Sequence, residues 1–194
     1  MKLQIDSKSI PAIVFFVFAM ALLAASARTT TLAEKAADDA RYGLIPLEKS
    51  VNAPDFTLPA LTVGSKSVPQ INLHSSAEKM PVVFSFWASY CQYCPMEMSH
   101  LQKYSERYKG KIQFYTVNSH DDEAMIRRYQ SAHGFSLPTL YDSTHDVAVK
   151  YGVDSLPSLF IVDRSGRVRY VSNGFDPEMD SVLPKVLDQV AKDS

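Results

Sequence analysis

The sequence predicts an α/β domain with a mixed central sheet flanked by helices and a β-hairpin extension at its N-terminal end. Three observations predict it. From Ala53 onward, runs rich in Val, Ile and Phe alternate with segments whose apolar residues recur at helical spacing. One run, Met80 to Trp87, is dense in Val and Phe, the mark of a strand covered on both faces. The order along the chain reads β, β, β, α, β, α, β, α, β, β, α, so that three βα units precede a closing hairpin and a helix.

Taken in order, Ala53-Pro54-Asp55-Phe56-Thr57-Leu58-Pro59 opens the domain. Val63-Gly64-Ser65-Lys66 forms a turn, and Val68 to Leu73 returns as the second strand of a hairpin. After the strand at 80–87, Met98, Leu101 and Tyr104 recur at helical spacing until Gly110. Ile112 to Val117 is a strand. Ala124 to His133 is a helix with Asp121 or Asp122 as its cap and Gly134 at its end. Pro138 to Asp142 is a short strand, and Asp146 to Tyr151 a short helix closed by Gly152. Ser158 to Val162 and Val168 to Val171 pair across the turn Asp163-Arg164-Ser165-Gly166. A last helix runs from Pro177 to Ala191, with Asp176 as N-cap, Pro177 at its first position and Pro184 kinking or dividing it.

The chain has 194 residues, enough for one domain plus an extension at an end. Its formal net charge is -1, so it carries no basic footprint and nucleic acid is not an expected partner. Lys2 and Lys8 precede an apolar run from Ile10 to Ala25, and Ala25-Ser26-Ala27 has the small-x-small form of an export cleavage site. Extended through Ala27, the run is also just long enough to cross a bilayer. Residues 1–27 therefore read as a cleaved signal or a retained N-terminal anchor, the tether lying in residues 10–27. In either case the rest of the chain lies outside the cytoplasm, where disulfide chemistry is expected. Residues 28–52 read as a spacer with a short helix near Thr31 and Glu34, which have capping-box spacing. The domain proper is 53–194.

The chain holds two cysteines, Cys91 and Cys94, in the stretch Phe86-Trp87-Ala88-Ser89-Tyr90-Cys91-Gln92-Tyr93-Cys94-Pro95. A strand leads in and a helix follows. Two cysteines at a helix start can close a small disulfide. The first sits where unpaired N–H groups and the helix dipole favour a thiolate, and the second, further in, can resolve a mixed disulfide. The competing readings are an inert bridge and a metal site. A metal would need His or acid partners, and His100 has none at motif spacing. No metal and no cofactor is expected.

Phe86-Trp87-Ala88-x-x-Cys91-x-x-Cys94, together with Leu156-Pro157, resembles the thioredoxin fold. Within it the chain resembles the TlpA/ResA-like extracytoplasmic thiol–disulfide oxidoreductases. The export segment, the opening at Ala53, Glu97 three residues after the second cysteine, and the series from Tyr151-Gly152-Val153 to Gly166 carry that likeness. The resemblance covers Ala53 to Val190. It implies that Pro157 is a cis-proline beside the dithiol and that Glu97 adjusts the thiols and moves the exchanged proton. Cytoplasmic-type thioredoxins carry an acid six residues before the first cysteine; here Ser85 stands there. Trp87, Tyr90, Gln92, Tyr93, Leu156 and Ser158 are the expected substrate-facing residues. Pro95 and Ser99 depart from the family pattern: Pro95 removes an N–H at the helix start, and Ser99 stands where a helix-kinking proline is usual.

The implied function is an exported reductase of protein disulfides, in cytochrome c maturation or a similar envelope pathway, acting as a monomer at the outer face of the membrane or in the periplasm. Its partners would be cysteine-containing exported proteins and a membrane redox protein that exchanges electrons with it. Two other readings stand beside it: an oxidase or isomerase of secreted-protein disulfides, and a non-catalytic envelope module stapled by a structural disulfide.

Overall fold

The computed structural model describes residues 49–192. The expected export or anchor segment at 1–27 and the short spacer helix near Thr31 lie outside the described residues. No helix among the described residues is long and apolar enough to cross a membrane.

Eight strands form one sheet in the order β1-β8-β7-β4-β5-β6-β2-β3. They are β1 (Val51–Asn52), β2 (Thr57–Leu61), β3 (Gln70–Asn72), β4 (Val82–Trp87), β5 (Gln113–Asn118), β6 (Thr139–Tyr141), β7 (Ser158–Val162) and β8 (Arg167–Asn173). Five helices intervene: α1 (Leu73–Ala77), α2 (Cys94–Arg107), α3 (Glu123–His133), α4 (Asp146–Tyr151) and α5 (Met179–Lys192). β4, β5 and β6 run parallel; β7 is antiparallel to β4, and β2 is antiparallel to β6. This is the thioredoxin-like mixed sheet with additional N-terminal strands.

β4 occupies the centre, and all six of its residues are buried. Alternation sends Val82, Phe84 and Phe86 to one face. There they join Phe56, Tyr151 and Phe160 in an aromatic cluster, with Phe84 edge-on to Tyr151 at 5.3 Å and stacked on Phe160 at 5.4 Å. Such pairs contribute about 0.5–1.5 kcal/mol each beyond area burial. Val83 faces the other way, onto Leu101 and Tyr104 of α2 and Leu183 and Leu187 of α5. Ser85 and Trp87 share the Val83 side by the same alternation, which puts them under α2.

The structure corrects several boundaries. Val51–Asn52 already pairs with β8, so the sheet begins just before Ala53. The hairpin return is only three residues long, because Asn72 turns its side chain to accept the Ser75 N–H and starts α1 there. α2 ends at Arg107, and Gly110 lies beyond it in a left-handed turn at φ 74°. Asp176 does not open α5: its carboxylate accepts the Glu178 N–H in a preceding turn, and the helix starts at Met179. Pro184 lies inside α5 without dividing it. Tyr108, the residue just past the end of α2, holds that stretch, its hydroxyl donating to the Asp188 carboxylate at 2.7 Å and lying 3.3 Å from the Pro184 carbonyl.

Candidate active site

The carboxyl ends of the parallel strands gather the candidate residues, the usual place for a site in an open α/β sheet. β4 ends at Trp87; a turn through Ala88-Ser89-Tyr90 delivers Cys91, and α2 begins at Cys94. Cys91 and Cys94 form a disulfide with 5.5 Å between their Cα atoms. The two sulfurs are unequally placed: Cys91 is 8% exposed and Cys94 0%. The helix start is three residues later than Cys91, so the first cysteine precedes the helix instead of sitting in it. Its sulfur is reached by the Cys94 N–H at 3.1 Å, a hydrogen bond that favours a thiolate. Pro95 falls at the second helical position, where an N–H has no intrahelical partner in any case, so it does not disturb the helix start. Ser99, in place of a proline, donates its hydroxyl to the Pro95 carbonyl at 2.8 Å.

Glu97 lies one turn beyond Cys94 on the same face of α2 and is fully buried. A Glu in the first turn of a helix is ordinarily solvated; this one is covered because α2 lays that face on β4. The side chain that meets it is Ser85, whose hydroxyl donates to Glu97 Oε1, while Oε2 has no partner among the described residues. Burial drives the Glu97 carboxyl up to about 8, partly opposed by the Ser85 hydrogen bond. Ser85 therefore supports the acid from the position where cytoplasmic-type thioredoxins carry their own.

The Leu156–Pro157 peptide bond is cis, and Leu156 packs against the cluster containing Cys91, Cys94 and Trp87. Tyr90 and Tyr93 are strongly exposed, and Tyr93 stacks on Phe175 at 6.2 Å. Gln92 is exposed between the cysteines. Two expected substrate-facing residues are displaced. Trp87 is buried and packs on Tyr129 at 4.9 Å, its indole N–H without a partner among the described residues; it underlies the disulfide instead of walling it. Ser158 is buried within the sheet, its hydroxyl donating to the Ser155 carbonyl at 2.8 Å, because β7 is covered on both faces. His100 is turned away to Asp180 at 2.9 Å.

Residues that were not assigned to the site from sequence complete the surroundings. Asp121, after β5, accepts hydrogen bonds from the Ser89 N–H at 2.7 Å, the Ser89 hydroxyl at 2.6 Å and the Asn118 amide at 2.8 Å. Burial acts to raise its carboxyl, but these donors outweigh it and hold the group below its ordinary value. Asp121 thus ties the turn before Cys91 to the neighbouring strand. Asp121→Ala is expected to lower stability by about 1–2 kcal/mol, since three charge-assisted hydrogen bonds at a partly exposed site are lost; urea denaturation at pH 7 reads this directly, and an unchanged midpoint would show the clamp to be idle. Beside Cys91 lies a cavity of about 310 Å³ whose lining includes Tyr90, His120, His145, Val153 and Leu156. The cue to His120 and His145 was topological: they follow β5 and β6, the next two parallel strands beyond the one that delivers Cys91.

Comparison with known proteins agrees with this geometry. The model of the AhpC/TSA family matches residues 50–171. The thiol-disulfide oxidoreductase ResA of Halalkalibacterium halodurans is 30% identical over 94 residues, which cover 48% of this chain and 53% of that protein. The matched stretch thus spans about half of that relative's length. The thioredoxin-like protein YneN of Bacillus subtilis is 28% identical over 133 residues, covering 67% of this chain and 74% of that one. Among solved structures, a proposed thiol:disulfide interchange protein DsbE of Chlorobium tepidum superposes with a TM-score of 0.65 at 24% identity, over 73% of this chain and 96% of that chain, a likeness of fold.

Proposed function

This chain belongs to the AhpC/TSA family, and from that premise we propose that it is a thiol–disulfide oxidoreductase working outside the cytoplasm, as a reductase of disulfides in exported proteins. The observation that carries the reading is the asymmetry of the cysteine pair: Cys91 borders a cavity and receives an N–H, whereas Cys94 is fully buried, one helical turn before the buried Glu97.

In the reduced protein the Cys91 thiolate attacks one sulfur of a substrate disulfide. An S–S bond forms between Cys91 and the substrate, and the other substrate sulfur leaves as a thiolate that takes up a proton. Cys94 then loses its proton and attacks Cys91, releasing the second substrate thiol and closing the Cys91–Cys94 disulfide. The substrate gains two electrons from the two cysteine sulfurs and two protons, one drawn from solvent, where the Cys91 proton had already gone, and one that balances the proton Cys94 gives up through Glu97. Glu97, once ionised, is the group placed to accept the Cys94 proton: with its carboxyl at about 8, the ionised form is the minority at neutral pH and grows toward pH 8, and transfer to it from an ordinary thiol is nearly balanced. Pro157 and Leu156 present the backbone beside the dithiol to an extended substrate segment. Tyr90, Gln92 and Tyr93 supply exposed contacts around it.

A membrane redox partner re-reduces the disulfide, and residues 1–27 act as export signal or anchor, with 28–52 as spacer and 53–194 as the domain. The ResA relative, a thiol-disulfide oxidoreductase, supports the redox class; cytochrome c maturation or a similar envelope pathway is the setting we favour. Equilibration of the dithiol against glutathione tests the direction of electron flow. A potential near about -270 mV is expected for a reductase, and one near about -120 mV would instead assign an oxidase.

A further inference from the structure

The cavity beside Cys91 has a built aromatic wall that the exchange chemistry does not use. Tyr90, from the turn after β4, meets the ring of His120, from the loop after β5, edge-on at 5.7 Å and 73°. His120 meets His145, from the loop after β6, at 4.9 Å and 66°. Three consecutive parallel strands thus each contribute one ring to a single run. Val153 and Leu156 add aliphatic surface to the same lining, and Cys91 opens onto it.

Two further features set this wall apart from incidental loop packing. His145 is the single non-glycine residue with a positive φ among the described residues, at 64°. A left-handed backbone at a side-chain-bearing residue is held by its surroundings and clusters at functional sites. His145 is the N-cap position of α4, makes no side-chain capping bond, and closes the turn into the helix, its N–H donating to the Asp142 carbonyl at 3.1 Å; its ring is left free to join the wall. Its Nδ1 reaches the Ser119 carbonyl at 3.4 Å, which orients the ring toward the β5 loop. Tyr90, moreover, is 70% exposed, leaving a large aromatic face open to solvent.

The cavity is at the lower end of the size range of ligand pockets, room for one large side chain. Ring edges, ring faces and aliphatic groups together suit a planar apolar guest. Resting on the reductase reading above, we propose that this cavity receives an aromatic side chain next to the substrate's reacting cysteine, so that the protein selects disulfides whose cysteines adjoin Phe, Tyr or Trp. Once the substrate sulfur is joined to Cys91, the neighbouring substrate residue is the one within reach of the Tyr90–His120–His145 wall. The exposed Asp154 and Gln92 add polar groups to the lining.

The test uses three disulfide-linked peptides that differ only in the residue after cysteine: Phe, Ala or Glu. The reduced wild-type protein is expected to show a kcat/KM for the Phe peptide about three- to tenfold above that for the Ala peptide. In His120→Ala/His145→Gly the ratio is expected to fall to about one. Glycine accepts the left-handed backbone at 145, so the double variant keeps that turn. Equal rates on the Phe and Ala peptides in the wild type, or a Phe preference that survives in the variant, would overturn the inference while leaving the reductase reading intact. A preference for the Glu peptide would overturn it too, showing that the imidazoles bind a carboxylate. Failure of the wild type to reduce any of the three peptides would overturn both.

Discussion

Cys91→Ser is expected to abolish disulfide reduction, and Cys94→Ala to halt it halfway with substrate covalently attached. The two outcomes follow from the unequal burial of the pair. Cys91 has its sulfur at the cavity and a hydrogen bond from the Cys94 N–H, so it can exist as a thiolate and be approached. A serine hydroxyl at 91 cannot form or accept an S–S bond, and turnover should drop by on the order of a thousandfold or more, as for loss of other nucleophiles. Cys94 is fully buried and cannot meet a protein substrate. Its loss leaves the first exchange possible and the second impossible, so the mixed disulfide should accumulate. Non-reducing electrophoresis and mass spectrometry after mixing with a disulfide-bonded protein will show it. An adduct that builds up in Cys91→Ser in place of Cys94→Ala would reverse the assignment. Full activity of a Cys91→Ser/Cys94→Ser variant would mark the bridge as a structural staple.

The parts of this site that could be read from sequence are those with a local cause. The apolar density of Val82 to Trp87 marks a central strand wherever it lies in the fold, and the structure covers it on both faces. Leu156-Pro157 could be placed beside the dithiol through the family resemblance, and the bond is cis. Features set by a few residues or by distant packing were hidden. α1 is only five residues long and begins where Asn72 folds back on Ser75, so its first residues read as the end of a strand. β1 is a two-residue pairing with β8, which no periodicity can signal. Asp121 and Asp122 looked equivalent as caps, yet Asp122 caps α3 and Asp121 reaches back to Ser89. Ser158 sits beside the cis-proline in sequence, but alternation and a covered β7 bury it. His120 and His145 are 25 positions apart and meet because β5 and β6 are neighbours.

Glu97 should make the protein less stable as pH rises, and Glu97→Gln should remove that loss. Burial lifts its folded value from 4.5 to about 8. Below 4.5 the carboxyl is protonated in both the folded and unfolded chain, and it contributes no pH dependence. Above 4.5 the unfolded chain releases the proton while the folded chain keeps it, so the unfolded state binds fewer protons and stability declines with pH. The decline continues to about pH 8, where the folded carboxyl ionises as well, and then levels off. At about 1.4 kcal/mol per pH unit, the loss by pH 7 is on the order of 3 kcal/mol. Gln keeps the shape and can still pair with Ser85 but does not ionise, so urea midpoints of variant and wild type should coincide near pH 4 and separate toward pH 8, with the variant more stable. Taking the difference between the two curves isolates Glu97 from every other titrating group. Parallel curves would show that the buried carboxyl ionises without penalty. The same substitution removes the acceptor for the Cys94 proton, and at pH 8 and above, where the folded carboxyl is ionised, the resolving step should slow by about a hundredfold, the usual weight of one general base, with a smaller effect at lower pH. A variant both more stable and slower is what a carboxyl kept in the core for proton transfer, at the expense of folding, requires.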